Sequence, residues 1–235
     1  MPDKPILYIV ATPIGNLEDF TFRAVRILGE VDILACEDTR RTRNLFTHYN
    51  IPLPGKIISY REKNEQYSVA GIIKLLDEGK SIAVCSDAGY PGLSDPGYRL
   101  VSEAVEQDYE VVVIPGAGAI STAVVVSGLP TDSFTYLGFP PRKSGALKRF
   151  FETEKDNAHT LVYFESPMRV SKSLAAALEV LGDRKAAVCI ELTKLFEVIH
   201  RGYLSELVEK FHDKKIKGEV TIVIAGNNPK FVRET

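Results

Sequence analysis

Asp87 stands in the stretch of this chain best suited to holding a ligand, Ser86-Asp87-Ala88-Gly89-Tyr90-Pro91-Gly92-Leu93-Ser94-Asp95-Pro96-Gly97. It directly follows the apolar run Ser81 to Cys85 and precedes an amphipathic segment, so a buried strand ends in a stiff loop. Glycines let the backbone approach a ligand closely, Asp95-Pro96 can start the next helix, and Asp87 is the carboxylate at the strand's carboxyl end. Open α/β sheets bind their ligands at that end. A second cluster, Glu37-Asp38-Thr39-Arg40-Arg41-Thr42-Arg43, joins two carboxylates that could take a proton to three cations. Asp38 or Thr39 can cap the helix that follows, but cations in its first turns oppose the helix dipole and so suit an anion such as an RNA phosphate.

Other clusters are weaker. Gly138-Phe139-Pro140-Pro141-Arg142-Lys143-Ser144-Gly145, continuing to Lys148 and Arg149, reads as a basic loop that is either simply solvated or phosphate-binding. Glu191-Leu192-Thr193-Lys194-Leu195-Phe196-Glu197 reads as paired charges at a domain edge or as a polar site wall. Lys210 through Lys217 reads as an exposed helix end. His48, His159, His200 and His212 are isolated and read as structural. Cys36, Cys85 and Cys189 sit in apolar runs without ligand spacing, which predicts buried thiols and neither a disulfide framework nor a metal site. Gly116-Ala117-Gly118 follows a strand, yet Ser121 stands where a dinucleotide fingerprint needs its third glycine, and no Walker pattern is present.

Short β-rich runs must position these loops. Ile6 to Ala11, Ile33 to Cys36, Lys56 to Ser59, Ser81 to Cys85 and Val111 to Ile114 read as strands, separated by helices at Phe20 to Gly29, Thr39 to Tyr49, Gln66 to Glu78 and Pro96 to Gln107. Runs such as ILYIVA and SIAVC are apolar throughout, as in sheets covered on both faces. Beyond Pro115 come a small-residue helix from Ile120 to Ser127 and strands at Phe134 to Phe139, Thr160 to Phe164, Ala186 to Glu191 and Val220 to Ala225. Helices fill Gly145 to Glu154, Met168 to Leu181 and Leu204 to His212. The expectation is an α/β protein of two domains, 1–115 and 116–235, each a mostly parallel or mixed sheet flanked by helices, with the ligand in the cleft between them.

The formal charge of −2 argues against gripping nucleic acid with the whole surface and confines any RNA contact to local patches. Met1-Pro2-Asp3-Lys4-Pro5 lacks leader character, and no apolar run approaches the ~20 residues that span a bilayer, so a cytoplasmic protein without membrane contact is expected.

In this order the motifs resemble the tetrapyrrole methylase superfamily, and within it the ribosomal RNA small subunit methyltransferase I family of cytidine 2′-O-methyltransferases. The matching segments are TPIGNLED (Thr12 to Asp19), EDTRRT (Glu37 to Thr42), Asn64-Glu65, SDAGYPGLSDPG (Ser86 to Gly97), PGAGA (Pro115 to Ala119) and SGLP (Ser127 to Pro130). GFPPRK (Gly138 to Lys143), ESPMR (Glu165 to Arg169), ELTK (Glu191 to Lys194) and KGE (Lys217 to Glu219) complete the set. The chain departs from the family at Arg61-Glu62-Lys63, where histidines are usual, and at Tyr90, where threonine is common. Relatives commonly extend further past the KGE segment than this chain, which ends at Thr235.

The resemblance implies the class III methyltransferase fold, a homodimer, ribosomal RNA or the small ribosomal subunit as partner, and S-adenosyl-L-methionine (S-adenosylmethionine) as cofactor. Its cofactor positions fall at Ile14, Asp87, Tyr90, Gly118 and Ala119, and in the second domain at Phe164, Leu192 and Val220. No metal is required. A ribose hydroxyl needs a base, for which Asp38, Glu37, Glu191 and, if its pKa is depressed, Lys194 are the candidates. Arg40, Arg41, Arg43, Arg142 and Lys143 are expected to contact phosphate. Competing readings are a methyltransferase of the same fold acting on a tetrapyrrole, corrinoid precursor or modified protein side chain, and a non-catalytic RNA-binding or ribosome-assembly module.

Overall fold

The computed structural model describes residues 5–233; Met1 to Lys4, read above as lacking leader character, and Glu234 and Thr235 lie outside the described residues. The chain divides into two compact units, one ending at Gly118 and the other beginning at Ala119. Pro115-Gly116-Ala117-Gly118 therefore stays with the first unit, three residues beyond the expected boundary.

The first unit alternates strands and helices. Strands β1 (Ile6–Val10), β2 (Ile33–Cys36), β3 (Lys56–Ser59), β4 (Ile82–Cys85) and β5 (Glu110–Ile114) form a parallel sheet of order β3-β2-β4-β1-β5. Helices α1 (Phe22–Glu30), α2 (Thr39–His48), α3 (Glu65–Asp77) and α4 (Tyr98–Glu106) complete it. Side chains alternate across a strand, so each fully apolar central strand feeds two cores. Val10, Leu34, Cys36, Ala83 and Cys85 pack with Ala24, Ile27, Leu28 and Phe46 of α1 and α2. Leu7, Ile9, Ile33, Ala35, Ile82 and Val84 pack on the other face with Ile72, Leu76 and Leu100 of α3 and α4.

The second unit opens with α5 (Ala119–Ser127) and carries a mixed sheet. Its strands β6 (Phe134–Tyr136), β7 (Thr160–Glu165), β8 (Lys185–Ile190), β9 (Val198–Tyr203) and β10 (Val220–Ile224) are ordered β6-β7-β10-β8-β9. Only β6 and β7 run parallel; β10 is antiparallel to β7 and β8, and β8 to β9. Helices α6 (Ser144–Glu152), α7 (Val170–Leu181) and α8 (Leu204–Phe211) cover one face around Leu147, Phe151, Tyr163, Leu174 and Leu207, while α5 packs the other.

Three expectations need correction. Val198–Tyr203 is a strand that the periodicity does not reveal, because His200 and Arg201 interrupt it and it lies at the sheet edge. β6 stops at Tyr136 rather than Phe139, since Gly138 turns the chain at φ 67° and Pro140 and Pro141 cannot continue a ladder. Ser81 lies outside β4 because its amide and hydroxyl both bind the Asp32 carboxylate, each at 2.9 Å. All three cysteines are buried free thiols.

Candidate functional site

Four loops leave the carboxyl edge of the first sheet, and hydrogen bonds tie them together. Thr12, after β1, and Gly89, after β4, exchange backbone bonds of 2.9 and 3.0 Å in an isolated antiparallel bridge. The Thr12 hydroxyl also reaches the Ser86 carbonyl at 3.3 Å. Tyr90 accepts the Gly116 N–H on its phenolic oxygen at 3.1 Å, joining the loop after β4 to the loop after β5. Asp87 joins it to the loop after β2: one carboxylate oxygen accepts the Asp38 N–H at 3.0 Å and the other faces Arg41 Nη1 at 3.4 Å.

The far end of the same loop is held by Glu65. Its Oε1 accepts the Tyr60 hydroxyl at 3.0 Å and the Gly97 N–H at 3.1 Å, while Oε2 lies 3.7 Å from Arg99 Nε. Gly97 is indispensable to this closure, because a β-carbon there would stand 2.8 Å from the Gly92 nitrogen. Neighbouring Asn64 accepts the Arg61 N–H at 2.8 Å and donates to the Ser59 carbonyl at 3.2 Å. The Asn64-Glu65 pair thus braces the loop, a role its mere presence as a motif does not disclose.

Between the β1 loop and α2 lies a cleft of about 280 Å³ lined by Thr12, Pro13, Gly15, Leu17, Arg41, Thr42, Asn44, Leu45, Ser86 and Asp87. Of the residues expected to act, Asp87 and Arg41 border it. Ile14 is buried beneath the neighbouring turn, where the missing β-carbon of Gly89 would meet its Cγ2 at 3.4 Å. Gly118 ends the first unit and Ala119 begins α5.

The α2 cluster resolves into separate roles. Asp38 caps the helix, accepting the Arg40 N–H at 2.9 Å, and its carboxylate also pairs with the Arg40 guanidinium at 3.0 Å. Those bonds, the side-chain one foremost, hold the Asp38 pKa down at about 2. Glu37 is shifted the other way: burial, reinforced by the Asp87 charge, raises its pKa. Arg61 Nε donates to the Glu37 carbonyl at 2.8 Å and fixes its backbone. Arg43 is exposed on the same helix.

In the second unit Phe164, Leu192 and Val220 gather at one end of the sheet, where Val220 pairs in register with Glu165 and Ile190. Val220 and Leu192 are buried, and Phe164 is half-buried. Beside them Lys194 Nζ bridges Glu191 Oε1 at 2.7 Å and Glu219 Oε2 at 3.1 Å. Burial pulls the lysine's pKa down, but its bonds to Glu191 and Glu219 more than offset this and the pKa is raised. The depressed value that a lysine base needs is therefore not met. The Lys194 hydrogen bond likewise dominates a lowered pKa for Glu191. Glu191 and Thr193 hold φ of 54° and 65°, and at Gly218 a β-carbon would fall 2.3 Å from the Glu191 Cδ. Arg142 and Lys143 are exposed on the loop before α6. Among the described residues no group of three His, Cys, Asp or Glu side chains is placed to hold a metal ion. Among them, too, no helix is long and apolar enough to cross a membrane.

Residues 6–208 match the family model of tetrapyrrole (corrin/porphyrin) methylases. Similar curated proteins are the ribosomal RNA small subunit methyltransferase I of Halalkalibacterium halodurans, 46% identical over 97% of this chain and 78% of the relative. That of Thermotoga maritima is 44% identical over 94% and 98%, respectively. That of Bacillus subtilis is 43% identical over 99% and 79%. Among solved structures, a uroporphyrin-III-C-methyltransferase from Thermus thermophilus superposes with a TM-score of 0.65 at 16% identity, covering 93% of both chains. A diphthine synthase gives 0.67 at 14% identity, covering 94% of this chain and 89% of the other. At those identities the likeness is one of fold.

Proposed function

The chain belongs to the tetrapyrrole (corrin/porphyrin) methylase family, and on that premise we propose that it is an S-adenosylmethionine-dependent methyltransferase acting on small-subunit ribosomal RNA at a cytidine 2′-hydroxyl. The observation that carries this reading is the 43–46% identity to ribosomal RNA small subunit methyltransferase I proteins over 94–99% of the chain. No comparable identity supports the tetrapyrrole or diphthine substrates of the structural neighbours.

The first unit's residues fit the cofactor. Its amino-acid end is a zwitterion, and the Asp87–Arg41 pair on the cleft wall offers one charge of each sign. When bound, S-adenosylmethionine supplies a methyl group already activated on a sulfonium. Thr12 and Ser86 line the same cleft and would form the wall against which it is held; Ile14, Tyr90, Gly118 and Ala119 are the further positions proposed for it. Holding two reactants at near-attack geometry is worth roughly 7–11 kcal/mol in favourable cases.

The acceptor hydroxyl must lose a proton. Asp38 is committed to its helix and to Arg40, Glu191 and Lys194 to each other, which leaves Glu37, raised by burial, as the base we favour. Arg43, Arg142 and Lys143 provide phosphate contacts, with Arg40 and Arg41 contributing less because each already faces an aspartate. The enzyme works in the cytoplasm, where its ribosomal substrate is assembled, and as a homodimer. Methyl transfer from labelled cofactor to unmodified small subunits tests the activity, and sedimentation as a monomer would remove the dimer.

A further inference from the structure

Gly138 to Lys143 is a surface loop that exposes Phe139, Arg142 and Lys143 while burying Pro140, and it is tied down at several points. The Phe164 N–H donates to the Gly138 carbonyl at 2.9 Å, and Pro140 and Pro141 fix two successive φ angles. Arg169 then clamps the turn: one guanidinium nitrogen, Nη2, donates to the carbonyls of Pro140 and Pro141 at 2.9 and 2.8 Å. The other, Nη1, lies 3.4 Å from Glu165 Oε1, which also accepts the Ser166 N–H at 2.8 Å. The Glu165 side chain is fully enclosed and Arg169 four-fifths so. An ionic pair taken out of water is costly, and here it fixes a surface loop and not a core.

What the loop presents is an aromatic ring beside two cations. Phe139 is 56% exposed, and its ring rests on Phe164 with centroids 5.5 Å apart; Phe164 in turn meets Tyr136 edge-on at 5.3 Å. The contact holds the Phe139 ring from one side while leaving more than half the residue open to solvent. Arg142 and Lys143 follow within four residues, both exposed. An exposed, rigidly supported ring next to backbone-neutralising cations is the arrangement that binds single-stranded nucleic acid, one base stacked on the ring and phosphates on the cations.

We propose that Phe139 is a stacking platform for an unpaired base of the RNA substrate, and that Arg169, held by Glu165, is the positioning residue that presets it together with Arg142 and Lys143. The proposal rests on the RNA reading above. It assigns substrate capture to the loop before α6. A preset loop costs less ordering on binding than a mobile one, so loosening it should weaken capture and leave turnover at saturation unchanged.

The test is steady-state methylation of unmodified small ribosomal subunits by the full chain, alongside calorimetry with S-adenosylmethionine and thermal unfolding. Phe139→Leu, which keeps an apolar side chain but no ring, should raise KM for the subunit about tenfold with kcat and cofactor affinity unchanged; Phe139→Tyr should restore the parent KM. Arg169→Lys, which keeps the charge but not the forked donors, should raise the same KM. If Arg169→Lys fails to fold, the two Phe139 variants decide. Phe139→Leu behaving as the parent, or weakening cofactor and not subunit, overturns the proposal. A parent that methylates nothing overturns the RNA reading itself, a different result from a parent whose activity ignores Phe139.

Discussion

The carboxylate of Asp87, at the end of β4, accepts the backbone N–H of Asp38, the residue that caps the helix after β2, at 3.0 Å. One side chain thereby fixes the relation between the two acidic loops and, through its second oxygen, faces Arg41 across 3.4 Å. Asp87 is thus both a wall of the cleft and the brace of its neighbours.

Replacing Asp87 should therefore do two things at once. Asp87→Asn retains an acceptor for the Asp38 amide but loses the charge opposite Arg41. We expect cofactor affinity to fall at least about tenfold, roughly 1.4 kcal/mol, with a small change in melting temperature; Asp87→Ala should lower both. Calorimetry and thermal unfolding of the two variants separate the roles.

Glu37 makes a prediction with a definite sign. Burial raises its folded pKa above the unfolded value, so the folded chain holds the proton more tightly. Its contribution favours folding below the unfolded pKa and is lost as pH rises through the folded one. Glu37→Gln should accordingly raise the melting temperature at pH 7, with the advantage vanishing below about pH 4. As the proposed base, the same variant should lose roughly 10²–10⁴-fold in kcat without loss of cofactor affinity. Asp38→Asn should retain far more activity.

The arginines of α2 should not be equivalent. Arg40 is matched by Asp38 at 3.0 Å, whereas Arg43 is exposed beyond it. Arg43→Glu is expected to raise KM for small subunits more than Arg40→Glu. In binding assays across salt concentrations, Arg142→Ala and Lys143→Ala should each flatten the log–log slope by about 0.7, the value for one lost single-strand phosphate contact.

Gly218→Ala should destabilise the second unit. The position holds φ of 88° and the new β-carbon would collide with Glu191, whose carboxylate anchors Lys194 and accepts the Glu219 N–H at 2.8 Å. A loss of about 1–3 kcal/mol is expected from strain of this kind, read as a shift in denaturant midpoint.

Much of this was legible before any coordinates. Fully apolar β1, β2 and β4 announce a sheet covered on both faces, and the glycine- and proline-bearing loops after β1, β4 and β5 mark its carboxyl edge. What sequence could not disclose is pairing. That Lys194, three residues from Glu191, also reaches Glu219 25 residues on, and that Glu65 closes on Gly97 32 residues away, depend on folded proximity. The same limit applies to Arg169, whose partners Pro140 and Pro141 lie on a loop nearly thirty residues earlier, at separations of 29 and 28. Edge strand β9 escaped for a different reason: its middle is His200-Arg201-Gly202, polar and flexible where a buried strand would be branched and apolar.

The most direct measurement is transfer of a labelled methyl group from S-adenosylmethionine to small ribosomal subunits lacking the modification, followed by mapping of the labelled nucleotide. Label is expected on a cytidine ribose oxygen, its rate of appearance cut roughly 10²–10⁴-fold by Glu37→Gln. Label on a base, or no transfer by a parent protein that binds the cofactor, would contradict the proposed activity.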